Sequence, residues 1–169
     1  SENLVLNSTA YRTRMKDRIK INSSWSAYEN KVLDTTQEGL ENELSYNISD
    51  QKISLLSNFS KSRTDTNGPN SRRPDLTYGL DYIAKLKSED YGLFKLGFNY
   101  RYIGDHIDWT GSKNEFVKSV DLVNAFISKD FQGFDLSLGI SNLLNERYEK
   151  PATYSQDGRQ FNINLRNKF

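Results

Sequence analysis

Apolar side chains recur at every second position along most of this chain, and that period constrains its fold more than any other property. Leu76, Tyr78, Leu80, Tyr82, Ala84 and Leu86 alternate with Thr77, Gly79, Asp81, Lys85 and Lys87, with Ile83 the one apolar intruder. After Ser88-Glu-Asp-Tyr-Gly92 the pattern resumes, with Phe94, Leu96, Phe98, Tyr100 and Tyr102 set against Lys95, Gly97, Asn99 and Arg101. Successive side chains of a strand point to opposite faces, so each run makes a sheet with an oily side and a wet side. The two runs read as a hairpin closed by a short polar turn. Each apolar band is about ten residues long, the length a tilted strand needs to cross a bilayer core.

The same alternation, with more noise, joins Leu40, Leu44, Tyr46 and Ile48 to Ile53, Leu55 and Phe59 through the turn Ser49-Asp-Gln-Lys52. It returns in Phe134, Leu136, Leu138 and Ile140 against Asp135, Ser137, Gly139 and Ser141. The closing strand places Phe161, Ile163, Leu165 and Phe169 on one side and Gln160, Asn162, Asn164 and Arg166 on the other; Asn167 breaks the apolar run. The pattern is weakest in Leu4 to Met15 and Phe116 to Phe131, and the second is a strand by position rather than by pattern. In the second, Val120, Leu122 and Phe126 compete with Val117, Val123, Ala125 and Ile127 for the oily face.

Short connections at Ser49 to Lys52, Ser88 to Gly92 and Asp130 to Gly133 alternate with long ones at Asp17 to Asp34, Asp65 to Arg73, Asp105 to Glu115 and Glu146 to Asp157. An antiparallel up-and-down sheet behaves this way when its short turns share one rim and its long loops the other. That is the layout of an outer-membrane β-barrel, and the count here is about eight strands. Tyr46, Tyr91, Phe131, Phe134 and Phe169 fall near one rim and Tyr102 and Phe116 near the other, as interfacial girdles do.

Composition narrows the function. The chain carries 23 basic and 22 acidic residues, interleaved, for a net charge of +1, so no face for nucleic acid is evident. It has no cysteine, one methionine and one histidine, which leaves no disulfide scaffold or thiolate site and makes a structural zinc or haem improbable. A hydrophobic share of 36% with 12% aromatics suits a one-sided sheet, in which only alternate residues are apolar. No run of about 18 apolar residues marks a membrane helix. The start, Ser1-Glu-Asn-Leu, lacks the basic and apolar parts of a signal peptide and reads as a mature product or a fragment.

Little in the chain suggests catalysis, and no cofactor or metal is expected. His106 lies in the loop Gly104-Asp-His-Ile-Asp-Trp-Thr-Gly-Ser112, and a hydrolase would need it held by a third polar group with a serine within hydrogen-bond reach. It reads as a solvated loop residue. Asp105, Asp108 and Asp65 match no cation-binding spacing and read as surface residues. Pro74, after Arg72 and Arg73, suits a strand start because it cannot donate to the ladder. The sequons at Asn7, Asn22, Asn47 and Asn58 are read as chance matches. Trp25 and Trp109 fall in long loops, where either self-packing or ligand stacking suits them.

Asn142-Leu-Leu-Asn-Glu-Arg-Tyr148, a short loop, the pair Gly158-Arg159 and a terminal Phe169 resemble the C-terminus of TonB-dependent outer-membrane receptors, whose last strands carry an Asn-Leu-Phe-Asp-x-x-Tyr element, a Gly-Arg pair and a final aromatic. Leu144 stands where Phe is usual and Asn145 where Asp is usual. The resemblance reaches back more loosely through Arg72-Arg-Pro74 and Gln37-Glu-Gly-Leu-Glu41, and the spacing of Asn142, Leu143, Tyr148, Tyr154, Gly158 and Arg159 is most similar to the cobalamin transporters, with siderophore receptors next.

The resemblance implies that residues 1–169 are the last part of a 22-stranded barrel occluded by a plug, and that the plug and its TonB-contacting segment are absent from this sequence. It implies import of a bulky, scarce nutrient such as cobalamin or a ferric siderophore across the bacterial outer membrane. Partners would be outer-membrane lipid, the rest of the barrel and plug, TonB through that plug, the barrel assembly machinery and the transported small molecule. Phe161, Ile163, Leu165 and Phe169 would form the assembly signal, read by β-augmentation. Asn142, Leu143, Tyr148, Gly158 and Arg159 would be structural motif residues, and Asp81, Lys85, Lys95, Asn99 and Arg101 would face the plug or the aqueous lumen. The principal rival is a self-contained eight-stranded barrel with a structural or adhesive role. A barrel-embedded hydrolase and a soluble lipocalin-like binder are lesser ones.

Overall fold

The computed structural model describes residues 3–16, 19–22, 24, 26–30, 34–64, 74–110 and 113–167. Phe169, Arg72, Arg73, Asp65 and Trp25 lie outside them. Among the described residues twelve strands run in chain order: β1 (Asn3–Met15), β2 (Ile19–Ile21), β3 (Tyr28–Asn30), β4 (Thr35–Ile48), β5 (Gln51–Thr64), β6 (Leu76–Ser88), β7 (Gly92–Ile103), β8 (His106–Trp109), β9 (Asn114–Val117), β10 (Val120–Phe131), β11 (Phe134–Ser141) and β12 (Gln160–Asn167). Eight of them, β1-β4-β5-β6-β7-β10-β11-β12, form one sheet, antiparallel throughout. The sheet is open, with β1 and β12 as its edges. That openness weighs against the self-contained barrel, which would need those two strands to pair.

The expected hairpins are present: β4 and β5 meet across Ser49-Asp50, and β6 and β7 across Glu89-Asp90-Tyr91. Both weakly patterned stretches form strands, but Phe116 does not belong to the second. Asn114–Val117 pairs instead with His106–Trp109 as a two-stranded hairpin inside the long connection between β7 and β10. A second hairpin, β2 with β3, occupies part of the connection before β4. Long loops of mixed polarity thus fold back on themselves, which the period of the flanking strands does not reveal.

The register assigns the faces. Ser45, Ser54, Asp81, Asn99 and Asn124 are successive Cα partners, so they share one face. Leu44, Leu55, Leu80, Tyr100 and Val123 are the matching row on the other. Asn7, Thr9, Glu41, Glu43, Asn58, Gly79 and Arg101 line a concavity of about 440 Å³, which makes the polar face the hollow, inward one.

β10 resolves its own ambiguity in this frame. Val123, Ala125 and Ile127 point outward with the rest of the apolar belt, whereas Val120 and Phe126 point inward. Val120 is buried beneath the long-loop rim. The Phe126 ring lies over Gly97, where an added Cβ would run into it. Glycine is required there by that close approach.

Aromatics gather at both rims on the outward face. At the short-turn rim Phe131 and Phe134 stack with centroids 4.7 Å apart, and the Lys129 ammonium sits 4.6 Å from the Phe131 centroid and 5.0 Å from that of Phe94. Toward the long-loop rim Tyr78 stacks on Tyr102 at 4.6 Å, and the Tyr100 hydroxyl donates to Asp121 Oδ1 at 2.6 Å. Ring bodies in the apolar belt with polar tips at its edge are the arrangement a membrane interface favours.

Candidate functional site

The inward face of β6, β7 and β10 carries a continuous polar network. Gly79 is the Cα partner of Arg101, and its missing side chain leaves room for the arginine, since an added Cβ would fall 2.7 Å from Arg101 Cδ. The guanidinium reaches Asp81, with Nη2 donating to Oδ2 at 2.7 Å. Asn99 Nδ2 donates to the other carboxylate oxygen of Asp81. Asn124 Nδ2 donates to Asn99 Oδ1 at 3.0 Å, and Asn124 Oδ1 accepts from the backbone N–H of Asn142 at 2.9 Å. An amide can accept and donate at once, so Asn99 and Asn124 relay the chain of bonds from an ion pair to the closing loop. Asn124 carried no sequence signal beyond being one polar residue among apolar neighbours.

The network ends at a clasp. Asn142 is 6% exposed and has a left-handed backbone, φ 49°, which asparagine tolerates better than most residues. Its Oδ1 accepts from Glu146 N at 2.9 Å, while Nδ2 donates to Glu146 O at 2.9 Å and to Asp157 O at 3.2 Å. Aspartate could not make the last two bonds. Leu143 N donates to Val123 O at 2.7 Å, tying the clasp to β10. Asn145, also left-handed at φ 58°, accepts the Arg159 N–H at 2.9 Å, a role a carboxylate fills equally well. Arg159 Nε then donates to Leu143 O at 2.9 Å. A Cβ on Gly158 would fall 2.7 Å from Asn145 Oδ1, so a side chain there would have to displace the amide that accepts the Arg159 N–H. Asn142, Leu143, Gly158 and Arg159, far apart in sequence, thus close one loop. Tyr148 joins through its backbone carbonyl, which accepts from Gln156 N at 2.9 Å.

Asp108 corrects the sequence reading. It is 1% exposed rather than a surface residue, and its Oδ2 accepts from Ala152 N at 2.9 Å. It pins the β8–β9 hairpin to the closing loop. His106 is half-buried, with Nδ1 3.3 Å from Gly104 O, so it too is less solvated than expected; Asp105 is exposed. Between these loops lies a cavity of about 420 Å³ walled by Ile103, Val117, Val120, Tyr148 and Pro151, with His106 and Lys118 at its lining. Among the described residues, no serine lines this cavity beside the histidine.

Lys85 and Lys95 share the inward face and are direct Cα partners, an opposition of like charges that costs stability unless compensated. With Asp130, Asp135, Asn164 and Arg166 they line a cavity of about 480 Å³ near the short-turn rim. All five residues expected at the lumen therefore share one face: Asp81, Asn99 and Arg101 bonded together, the two lysines apart from them. Phe161, Ile163 and Leu165 on β12 are 74%, 78% and 65% exposed, an uncovered apolar row on an edge strand.

The family model described as TonB dependent receptor-like, beta-barrel matches residues 1–143. The chain belongs to that family. Its members are outer-membrane barrels, and the outer membrane is where this chain resides. Solved barrels share its fold at low identity. The pyoverdine outer membrane receptor FpvA from Pseudomonas aeruginosa PAO1 aligns with a TM-score of 0.79 and 14% identity, over 98% of this chain and 27% of that one. The siderophore receptor PirA from Acinetobacter baumannii gives 0.79 and 16%, over 98% and 30%. The FrpB iron transporter from Neisseria meningitidis, in its apoprotein form, gives 0.78 and 14%, over 98% and 29%. No curated protein sequence matches the chain. The chain spans under a third of the length of these three solved structures, so the likeness covers one arc of a larger wall.

Proposed function

We propose that this arc is the C-terminal part of a TonB-dependent transporter that imports a bulky, scarce nutrient across the outer membrane, with a ferric siderophore as cargo. The observation that carries this reading is the inward face: a wet, charged wall from Arg101 through Asn142 behind an apolar outer surface, as a barrel enclosing a polar interior requires. The siderophore reading draws on the named ligands of FpvA and PirA, which are receptors for pyoverdine and for a siderophore. Cobalamin is the second reading, favoured by the motif spacing of the closing loop. In either case cargo would bind at the long-loop rim, and a plug elsewhere in the protein would be moved by TonB. Asp81, Asn99 and Arg101 would face that plug or the lumen water.

Uptake by cells decides the matter. A strain lacking the full-length protein should lose accumulation of radiolabelled iron from its cognate ferric siderophore, and the loss should be reproduced in cells lacking TonB. Unchanged iron uptake with lost uptake of labelled cobalamin would move the cargo to the second reading. Unchanged uptake of both would remove the transport proposal. Phe161, Ile163, Leu165 and Phe169 would direct assembly, and removing Phe169 from the full-length protein should lower the amount of heat-modifiable barrel.

A further inference from the structure

The outward face breaks its own rule in one place. Ser8, Asn42 and Ser57 are Cα partners on β1, β4 and β5, on the side that meets lipid. The apolar row Ala10, Leu40 and Phe59 lies above them, toward the long-loop rim. Two rows lie below: Leu6, Leu44 and Leu55, then Leu4, Tyr46 and Ile53. The polar row is thus inside the apolar belt. Its members bond to one another, Ser8 Oγ donating to Asn42 Oδ1 at 2.7 Å and Asn42 Nδ2 donating to Ser57 Oγ at 3.2 Å.

An asparagine amide has two N–H groups and two lone pairs on its oxygen, so these two bonds occupy half of its capacity. Acyl chains offer nothing for the other half, and an unmet polar group at that depth is costly. Four positions up the same two strands stand Arg12 and Glu38, 78% and 55% exposed, with Arg12 Nε 3.9 Å from Glu38 Oε2. The outward face of the β1–β4 pair therefore carries donor and acceptor, cation and anion, side by side.

From this pattern we infer that the β1–β4 face is a contact between two copies of the receptor in the membrane. A two-fold axis along the membrane normal, passing between β1 and β4, sets Ser8 of each copy opposite Asn42 of the other and Arg12 opposite Glu38. The face is complementary to itself under that operation. The small Ser8 and Ala10 side chains let the backbones approach, and amide and hydroxyl groups then bond across the contact, as polar residues do between membrane segments. Lipid cannot satisfy the row, and an unrelated partner would not need the paired charges to match in this order.

The test uses the full-length receptor in outer membranes, with any cysteines outside these residues replaced. A Ser8→Cys copy and an Asn42→Cys copy, distinguished by tags, are co-expressed and oxidised. A mixed disulfide dimer at least tenfold above that of a control pair, Leu138→Cys with Leu138→Cys, is the expected result; Leu138 lies on the outward face of a distant strand. In detergent, Asn42→Leu should halve the apparent mass of the particle while leaving it heat-modifiable. Cross-linking at the control level, cross-linking only to a different protein, or an unchanged particle mass in folded Asn42→Leu would overturn the inference. If Asn42→Leu does not fold, the cross-linking arm decides alone. Nutrient uptake does not enter either readout, so failure here is separable from failure of the transport proposal.

Discussion

The opening strands, β1, β4 and β5, and the later ones from β6 to β11 obey the same backbone grammar but are held together differently. Among the described residues, all five buried apolar side chains, Ala84, Val117, Val120, Val123 and Ala152, lie in the later part or its loops. The later part adds side-chain ties to its ladders: the Arg101–Asp81 pair, the Asn99–Asn124 relay and the Asn142 clasp. The opening part depends chiefly on its ladders, with shorter side-chain ties, the Ser8–Asn42–Ser57 row and the bond from Asn58 Nδ2 to Glu41 Oε1 at 2.9 Å. A sheet can therefore be regular along its whole width while its tertiary specificity is concentrated at one end.

That contrast can be broken most forcefully at Asn142. Asn142→Leu removes the acceptor for Glu146 N and the donor for Glu146 O and Asp157 O, and puts a branched side chain at a left-handed position. It should cost about 2–4 kcal/mol in the unfolding of the full-length barrel and expose the 143–157 loop to protease. Loss below about 1 kcal/mol, with the loop still protected, would mean that the clasp is decoration.

Gly79→Val should come next, at about 1–3 kcal/mol, because its side chain must displace the Arg101 guanidinium from Asp81 or shift the sheet. Combining it with Arg101→Ala should recover part of the loss; a loss that stays additive would place the clash elsewhere. Asp108→Ala should cost roughly 1–2 kcal/mol and act locally, speeding amide hydrogen exchange at Ala152 and its neighbours while leaving β6 and β7 unchanged. Faster exchange throughout the sheet would show that the two loops are not a separate unit.

The smallest effect belongs to the opening part. Glu43→Gln, on the exposed inward face of β4, should change stability by less than about 0.5 kcal/mol. A loss as large as that at Asp108 would erase the contrast between the two ends.

Much of the architecture was legible in the residues. The period of two located β6 and β7, because alternation is a local property that survives any tertiary context. Loop lengths ordered the strands, because a short turn can join only neighbours. The motif from Asn142 to Arg159 pointed to the family before any geometry was known. What the residues did not reveal was why that motif has its form. Its parts, Asn142 and Asn145 against Asp157, Gly158 and Arg159, meet only when the loop closes, and sequence distance conceals that meeting.

Asp108 and Asn42 were misjudged or passed over for the same reason from opposite directions. An aspartate in a polar loop looks solvated until Ala152 is folded onto it. An asparagine between Leu40 and Leu44 looks like noise in an alternation until the register puts Ser8 and Ser57 beside it.

The sequence by itself determined the all-β class, the division into oily and wet faces, and the alternation of short and long rims, since each follows from side-chain order along an extended backbone. Only the tertiary structure decided which polar residues bond to one another, which loops are pinned, and that β1 and β12 do not pair with each other. Those outcomes depend on register and on contacts between residues far apart in the chain, and no local pattern carries them.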